Sequence, residues 1–235
     1  MTFILPSFGA SAISAVPGGG GGGGASFSNG HALSFDGSDD ALTLASPISF
    51  TGEFTVSAWV KPNQSGLGIP VGQYSAGNFV VRYSNSQFSF WANGSDKVYA
   101  GGSYPNNSWY HLFIVRDSSD LITFYINGSS DGSFTKSGTL TTSGLVSSTF
   151  RYKGLSDEYA MWDSDQSSNL SAIYNSRVPT DLSSYSPVGL WRMGDNDGGP
   201  GTTITDQGSG GNDATFVNGP TFYDLSTAPD SIYVA

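Results

Sequence analysis

From Ser26 onward, apolar and polar residues in this chain recur with a period of two rather than 3.6. Leu33-Ser-Phe35 and Leu42-Thr-Leu44 alternate around Asp36-Gly37 and Asp39-Asp40, which predicts two short strands joined by a turn. Phe54, Val56, Ala58 and Val60 then form one unbroken apolar face, with Thr55, Ser57 and Trp59 opposite, until Pro62 stops the run. Further strands are predicted over 79–83, 87–92, 109–116 and 121–127, each bounded by Gly, Asn, Ser or Pro. Asn127-Gly128 suits left-handed backbone angles, so the strand over 121–127 should fold back onto 132–136. Ser168, as a capping residue ahead of Leu170, Ile173 and Tyr174, predicts one short helix near 168–176, and strands resume over 188–193 and 214–217. Many short strands with frequent turn signals and one helix imply an all-β domain of two packed antiparallel sheets.

The first 25 residues break this pattern. Phe3, Ile4, Leu5 and Phe8 belong to an apolar stretch without charge, and Pro17 is followed by seven glycines, Gly18–Gly24, which have no side chains to pack. This divides the chain into an apolar arm with a glycine linker, 1–25, and a domain, 26–235. The arm lacks the basic start and continuous apolar core of an export signal, and no stretch is long enough to span a membrane. Exposing this much apolar surface on a free tail is unfavourable, so the arm should be docked on a partner.

Charge narrows the partners. The formal net charge is −10 with only 12% charged residues, which argues against nucleic acid and anionic membrane. Cysteine is absent, which removes disulfides and thiolate metal sites. Glu53 and Glu158 are the only glutamates, and no closely spaced carboxylate run of the glycosidase kind occurs, so catalysis is not expected. The two histidines, His31 and His111, have no metal-binding spacing, and the five Asn-x-Ser/Thr triplets are what an Asn- and Ser-rich chain produces by chance.

Four segments in order, His31-Ala-Leu-Ser-Phe-Asp-Gly37, Phe54-Thr-Val-Ser-Ala-Trp-Val-Lys-Pro62, Ser108-Trp-Tyr-His111 and Phe124-Tyr-Ile-Asn-Gly128, resemble the laminin G-like, concanavalin A-like superfamily over about residues 30–220. The resemblance implies a jelly-roll sandwich. It also implies that Asp157-Glu158 lies on a late strand before the short helix. The segment Trp191–Pro220 resembles one that stands before the equivalent of Ala32–Gly37 in many relatives, so the order here looks circularly shifted. Such a shift requires the domain's ends to meet. Members include lectins, adhesion modules, accessory domains of glycan-active enzymes and bacteriophage appendages. An arm and glycine strip ahead of a lone domain are most similar to the last.

The resemblance thus implies a non-catalytic virion structural protein: a capsid decoration, head fibre or tail-associated knob. It would dock on a major capsid or other virion protein through residues 1–24, form a homo-oligomer and present a jelly roll to host-surface glycans. The alternative is a free-standing lectin-like module. Trp59, Trp91, Tyr99 and Tyr104 are candidate sugar-stacking residues, although a second packing layer accounts for such aromatics equally well. The acid-rich turns offer hard oxygens suited to calcium, and the resemblance adds calcium as a frequent ligand at the rim. Asp36, Asp157, Asp206 and Asp213 are the candidate ligands; the competing reading makes these acids turn caps.

Overall fold

The computed structural model describes residues 27–92, 96–195 and 201–225. The expected arm, with Phe3, Ile4, Leu5 and Phe8, lies outside them. The strands are β1 (His31–Asp36), β2 (Ala41–Phe50), β3 (Phe54–Pro62), β4 (Gly68–Val71), β5 (Phe79–Ser84), β6 (Gln87–Ala92), β7 (Asp96–Tyr99) and β8 (Tyr110–Arg116). They continue as β9 (Leu121–Ile126), β10 (Ser129–Thr135), β11 (Leu140–Val146), β12 (Lys153–Trp162), β13 (Gly189–Trp191), β14 (Thr203–Ile204), β15 (Ala214–Val217) and β16 (Thr221–Asp224), with helix α1 (Leu170–Tyr174) between β12 and β13.

One layer is an antiparallel sheet in the order β10-β9-β8-β3-β12-β1-β16, with β13 also paired to β12. The opposite layer holds two four-stranded sheets, β11-β2-β15-β14 and β4-β5-β6-β7. Backbone bonds from Gly72 N to Leu145 O (2.8 Å) and from Ser147 N to Ile69 O (3.3 Å) join these two edge to edge. The domain is a two-layer antiparallel jelly-roll sandwich with one short helix. The circularly shifted order is consistent with the pairing: β16 runs against β1 with Phe222 opposite Leu33, and Leu225 N donates to Gly30 O at 2.8 Å.

Alternation sets the core. Val56, Ala58 and Val60 of β3 face Leu112 and Ile114 of β8 and the apolar faces of β5 and β6. A column of rings crosses the gap between layers, with Phe50–Phe54 at 5.0 Å, Phe54–Phe79 at 5.7 Å and Phe79–Phe90 at 6.0 Å. Such pairs add about 0.5–1.5 kcal/mol each beyond their burial. Buried Arg116 closes one end, donating to the carbonyls of Gly52, Gly138 and Phe50 at 2.6, 2.6 and 3.1 Å.

The large sheet is covered on its outer face as well. Ile173 and Leu182 pack on Phe113, Val115, Ala160 and Trp162. Helix α1 is shorter than the sequence predicts, because Asn175 and Ser176 take left-handed angles (φ 44° and 53°), and Ser168 does not cap it: Asn169 stands at the cap, its side chain turned to Gln166 rather than to the helix backbone. Asn127 and Gly128 have the expected positive φ, 50° and 77°. A Cβ at Gly128 would lie 2.7 Å from the Tyr174 ring, so this hairpin turn and the helix fit together only with glycine there.

Candidate ligand-binding face and buried acidic cluster

Strands β5, β6 and β7 send alternate side chains to the outer surface of their sheet. Register places Arg82 opposite Ser89, Ser84 opposite Gln87, Ser89 opposite Tyr99, and Trp91 opposite Lys97. With Leu67 ahead of β4, Arg82, Gln87, Ser89, Trp91 and Tyr99 line a groove of about 310 Å³, at the lower end of the range typical of small-molecule clefts. Tyr99 is 50% exposed and meets Trp91 edge-on at 6.4 Å. The indole is fixed by a 2.8 Å bond from its Nε1 to Ser89 Oγ. The Arg82 guanidinium lies 3.6 Å from the Trp91 ring centroid and the Lys97 ammonium 4.3 Å from it.

Of the four aromatic candidates, only Trp91 and Tyr99 come together. Trp59 is buried at 2% exposure, packed on His111 at 4.9 Å and Tyr174 at 6.2 Å, because helix α1 covers the face of β3 that the sequence leaves open to solvent. Tyr104 is half-buried between Phe88 and Tyr110 and gives its hydroxyl to Asp131. Both are framework residues. Arg82 and Lys97 are not among the sequence candidates, although the same alternation that places Trp91 outward places them beside it.

The four calcium candidates do not meet. Asp206 spends its oxygens on three backbone donors, Leu190 N, Gly208 N and Asn212 N, each at 2.8 Å, and Asp213 Oδ1 accepts from Asp206 N at 2.9 Å. Both staple the loop between β14 and β15. Asp36 instead stands with Asp39 and Asp40, their ligand atoms all within 4.8 Å of one another. Asp36 Oδ1 accepts from Ser38 N at 2.6 Å and Asp40 Oδ2 from Asp36 N at 2.9 Å, the bonds of a turn cap. Of these three carboxylates on one turn, two already spend an oxygen on capping it, and none of Asp157, Asp206 and Asp213 joins them. The expected calcium set therefore does not assemble among the described residues.

Asp157 belongs to a different cluster. β12 is irregular between Asp157 and Ala160, where Glu158 takes φ 46° and both carboxyl groups turn into the protein, at 0% and 1% exposure. Asp157 accepts from Asn29 Nδ2 at 2.9 Å and from Glu158 N at 2.8 Å. Glu158 Oε1 pairs with Arg192 at 2.8 Å, and Arg192 also donates to Ser28 O at 2.6 Å. Asp195 takes Gly30 N at 2.9 Å and His31 Nδ1 at 3.0 Å. Burial pushes the Glu158 carboxyl up to about 7, against the pull of Arg192. Burial, then the neighbouring Glu158 charge, raises Asp157 well above the carboxylate range. Raised carboxyls mark candidate general acids, but neither side chain faces solvent or a groove. What the cluster does is fasten residues 28–31, the start of the domain, to β12 and the Arg192–Asp195 turn.

A family model, the concanavalin A-like lectin/glucanases superfamily, matches residues 36–169, more than half of the chain. No curated protein matches. Among solved structures, that of a candidate carbohydrate-binding protein from Bacteroides ovatus ATCC 8483 aligns at TM-score 0.67 and 17% identity, covering 88% of this chain, which spans 62% of that protein. The native heptameric SAP-like pentraxin from Limulus polyphemus aligns at TM-score 0.50 and 17% identity, covering 62% of this chain and 82% of the other. At these identities the likeness is one of fold.

Proposed function

This chain belongs to the concanavalin A-like lectin/glucanases superfamily, and from that premise we propose that it is a non-catalytic glycan-binding module whose binding face is the outer surface of β5–β7. The observation that carries this reading is the groove beside Tyr99, where a half-exposed ring stands next to Ser84, Gln87 and Ser89. A flat aromatic ring complements the C–H face of a pyranose, and the amide and hydroxyls answer its alcohols. Glycoside hydrolysis needs two carboxyls flanking the scissile bond, whereas Asp157 and Glu158 are buried neighbours. The name of the Bacteroides ovatus protein points the same way. Screening the full chain on a broad neutral and acidic glycan array tests this. Binding should fall several-fold to about tenfold in Tyr99→Ala at unchanged thermal stability, as expected for loss of one aromatic contact of about 0.5–1.5 kcal/mol. Failure of the unaltered protein to bind any glycan overturns the reading.

The second part of the proposal is location. The domain is carried on a virion, as a capsid decoration, head fibre or tail-associated knob, in a homo-oligomer that multiplies weak sites. The uncharged apolar arm with Phe3, Ile4, Leu5 and Phe8 and the glycine strip behind it support this. Deleting residues 1–24 should leave a folded domain that no longer joins its particle. Unchanged incorporation favours the free-standing lectin instead.

A further inference from the structure

We infer that the groove selects acidic glycans, sugars bearing a carboxylate or a sulfate, with Arg82 as the anion receptor; this rests on the groove being the glycan-binding face. The chain has nine Lys and Arg against nineteen Asp and Glu. In so acidic a protein cations ordinarily find carboxylates, yet two of the nine converge on one indole, Trp91, and no carboxylate is among the residues described as lining the groove.

The bonding of Arg82 sets it apart from the two buried arginines. Arg116 donates to three carbonyls, and Arg192 to Glu158 and Ser28. Among the described residues Arg82 is held by rings alone, with its guanidinium carbon 3.6, 5.1 and 5.8 Å from the centroids of Trp91, Tyr74 and Phe150. Its Nε is buried without a hydrogen-bond partner, and among the described residues none of its N–H groups is taken up by an oxygen. Ring faces attract the charge but leave the directional donors unused. A planar cation, fixed in orientation, undercoordinated and half-buried at the wall of a groove, matches the two oxygens of a carboxylate or sulfate. Trp91 is then the plate that holds Arg82 and Lys97, and Tyr99 is the surface left for the sugar ring.

Calorimetric titration of the full chain with sugars matched in shape and differing in charge tests this: tri-galacturonate against its methyl ester, and sulfated against unsulfated maltotriose. The carboxylate pair and the sulfate pair separate the two sources of the anion. At least one acidic member should bind about ten- to a hundredfold tighter than its neutral partner, as a charge-assisted hydrogen bond implies. Arg82→Gln should erase that preference, Arg82→Lys should retain part of it, and Tyr99→Ala should weaken acidic and neutral members alike. Equal binding within both pairs, or a preference that survives Arg82→Gln, overturns the anion receptor and leaves glycan binding intact. If Arg82→Gln fails to fold, Arg82→Lys decides, since it keeps the charge and loses the fork: full preference in that variant rejects the bidentate receptor. Hexaglutamate binding as tightly as the acidic sugars would assign the groove to acidic peptides and overturn the proposal. Tyr99→Ala without effect on any sugar would instead remove the glycan reading itself.

Discussion

Glu158→Gln isolates the pH response of the buried cluster. In the unfolded chain this carboxyl titrates near 4.5, and in the fold at about 7. Between those values the folded protein carries a proton that the unfolded chain has lost, so stability is fully present below pH 4.5 and drains away as pH rises through 7. One extra bound proton is worth about 1.4 kcal/mol for every step of one in pH, so the loss from pH 5 to 8 is on the order of a few kcal/mol. His111 works in the opposite sense: burial holds it at about 3 against 6.5, so its contribution is lost as pH falls from 6.5 toward 3. Because His111 is common to both proteins, its contribution cancels when variant and parent are compared. Urea unfolding at pH 5, 6, 7 and 8, followed by tryptophan fluorescence, should give a pH slope about one proton shallower in Glu158→Gln between 5 and 7. Below pH 7 the neutral glutamine stands in for the protonated carboxyl and keeps an oxygen for Arg192, so only above pH 7 does the variant take an anion from that arginine. The decisive quantity is the slope. Equal slopes in the two proteins would falsify the argument.

Other expectations follow from the same contacts. Asp157→Asn keeps an acceptor for Glu158 N and gains a donor that a turned Asn29 amide can meet through its unpartnered Oδ1, so stability at pH 8 should rise, as thermal unfolding will report; a fall would reject this account. His111→Phe removes the group that must ionise inside the core, and its acid-unfolding midpoint in a circular-dichroism titration should move to lower pH. Asp206→Ala strands three backbone donors and should cost more than about 2 kcal/mol in urea unfolding; in the unaltered protein calcium should shift the melting temperature no more than magnesium does, and a rise specific to calcium would reinstate a metal at this loop.

Many of the strands are legible in the sequence because alternation fixes which residues share a face: the predicted spans 79–83 and 87–92 fall within β5 and β6, whereas β4, β7 and β11 carry no such signal and the register is set by the fold. Alternation does not say whether a face is covered again. Trp59 is buried where the pattern alone leaves solvent, because a segment more than a hundred residues later, 170–174, lies over it. The pair Asp157-Glu158 is visible, but not its partners: Asn29 reaches it through the pairing of β1 with β12, and Arg192 and Asp195 through that of β13 with β12. Arg82 escapes a reading of the sequence because a lone arginine on a polar face looks solvated, and its lack of a carboxylate partner among the described residues is a property of the folded surface.

The hydrogen bond between Leu225 and Gly30 has a mechanical meaning. β1 and β16 start and finish side by side, so tension applied across the domain's two ends opens their ladder one rung at a time, as a zipper, the weakest direction in which a sheet can be loaded. A domain held through residue 27 alone, and tugged at the Tyr99 groove, instead sends the load through β1 into β12 and the ionic knot around Arg192. Attachment at one end rather than two therefore decides whether the sandwich yields under drag or bears it.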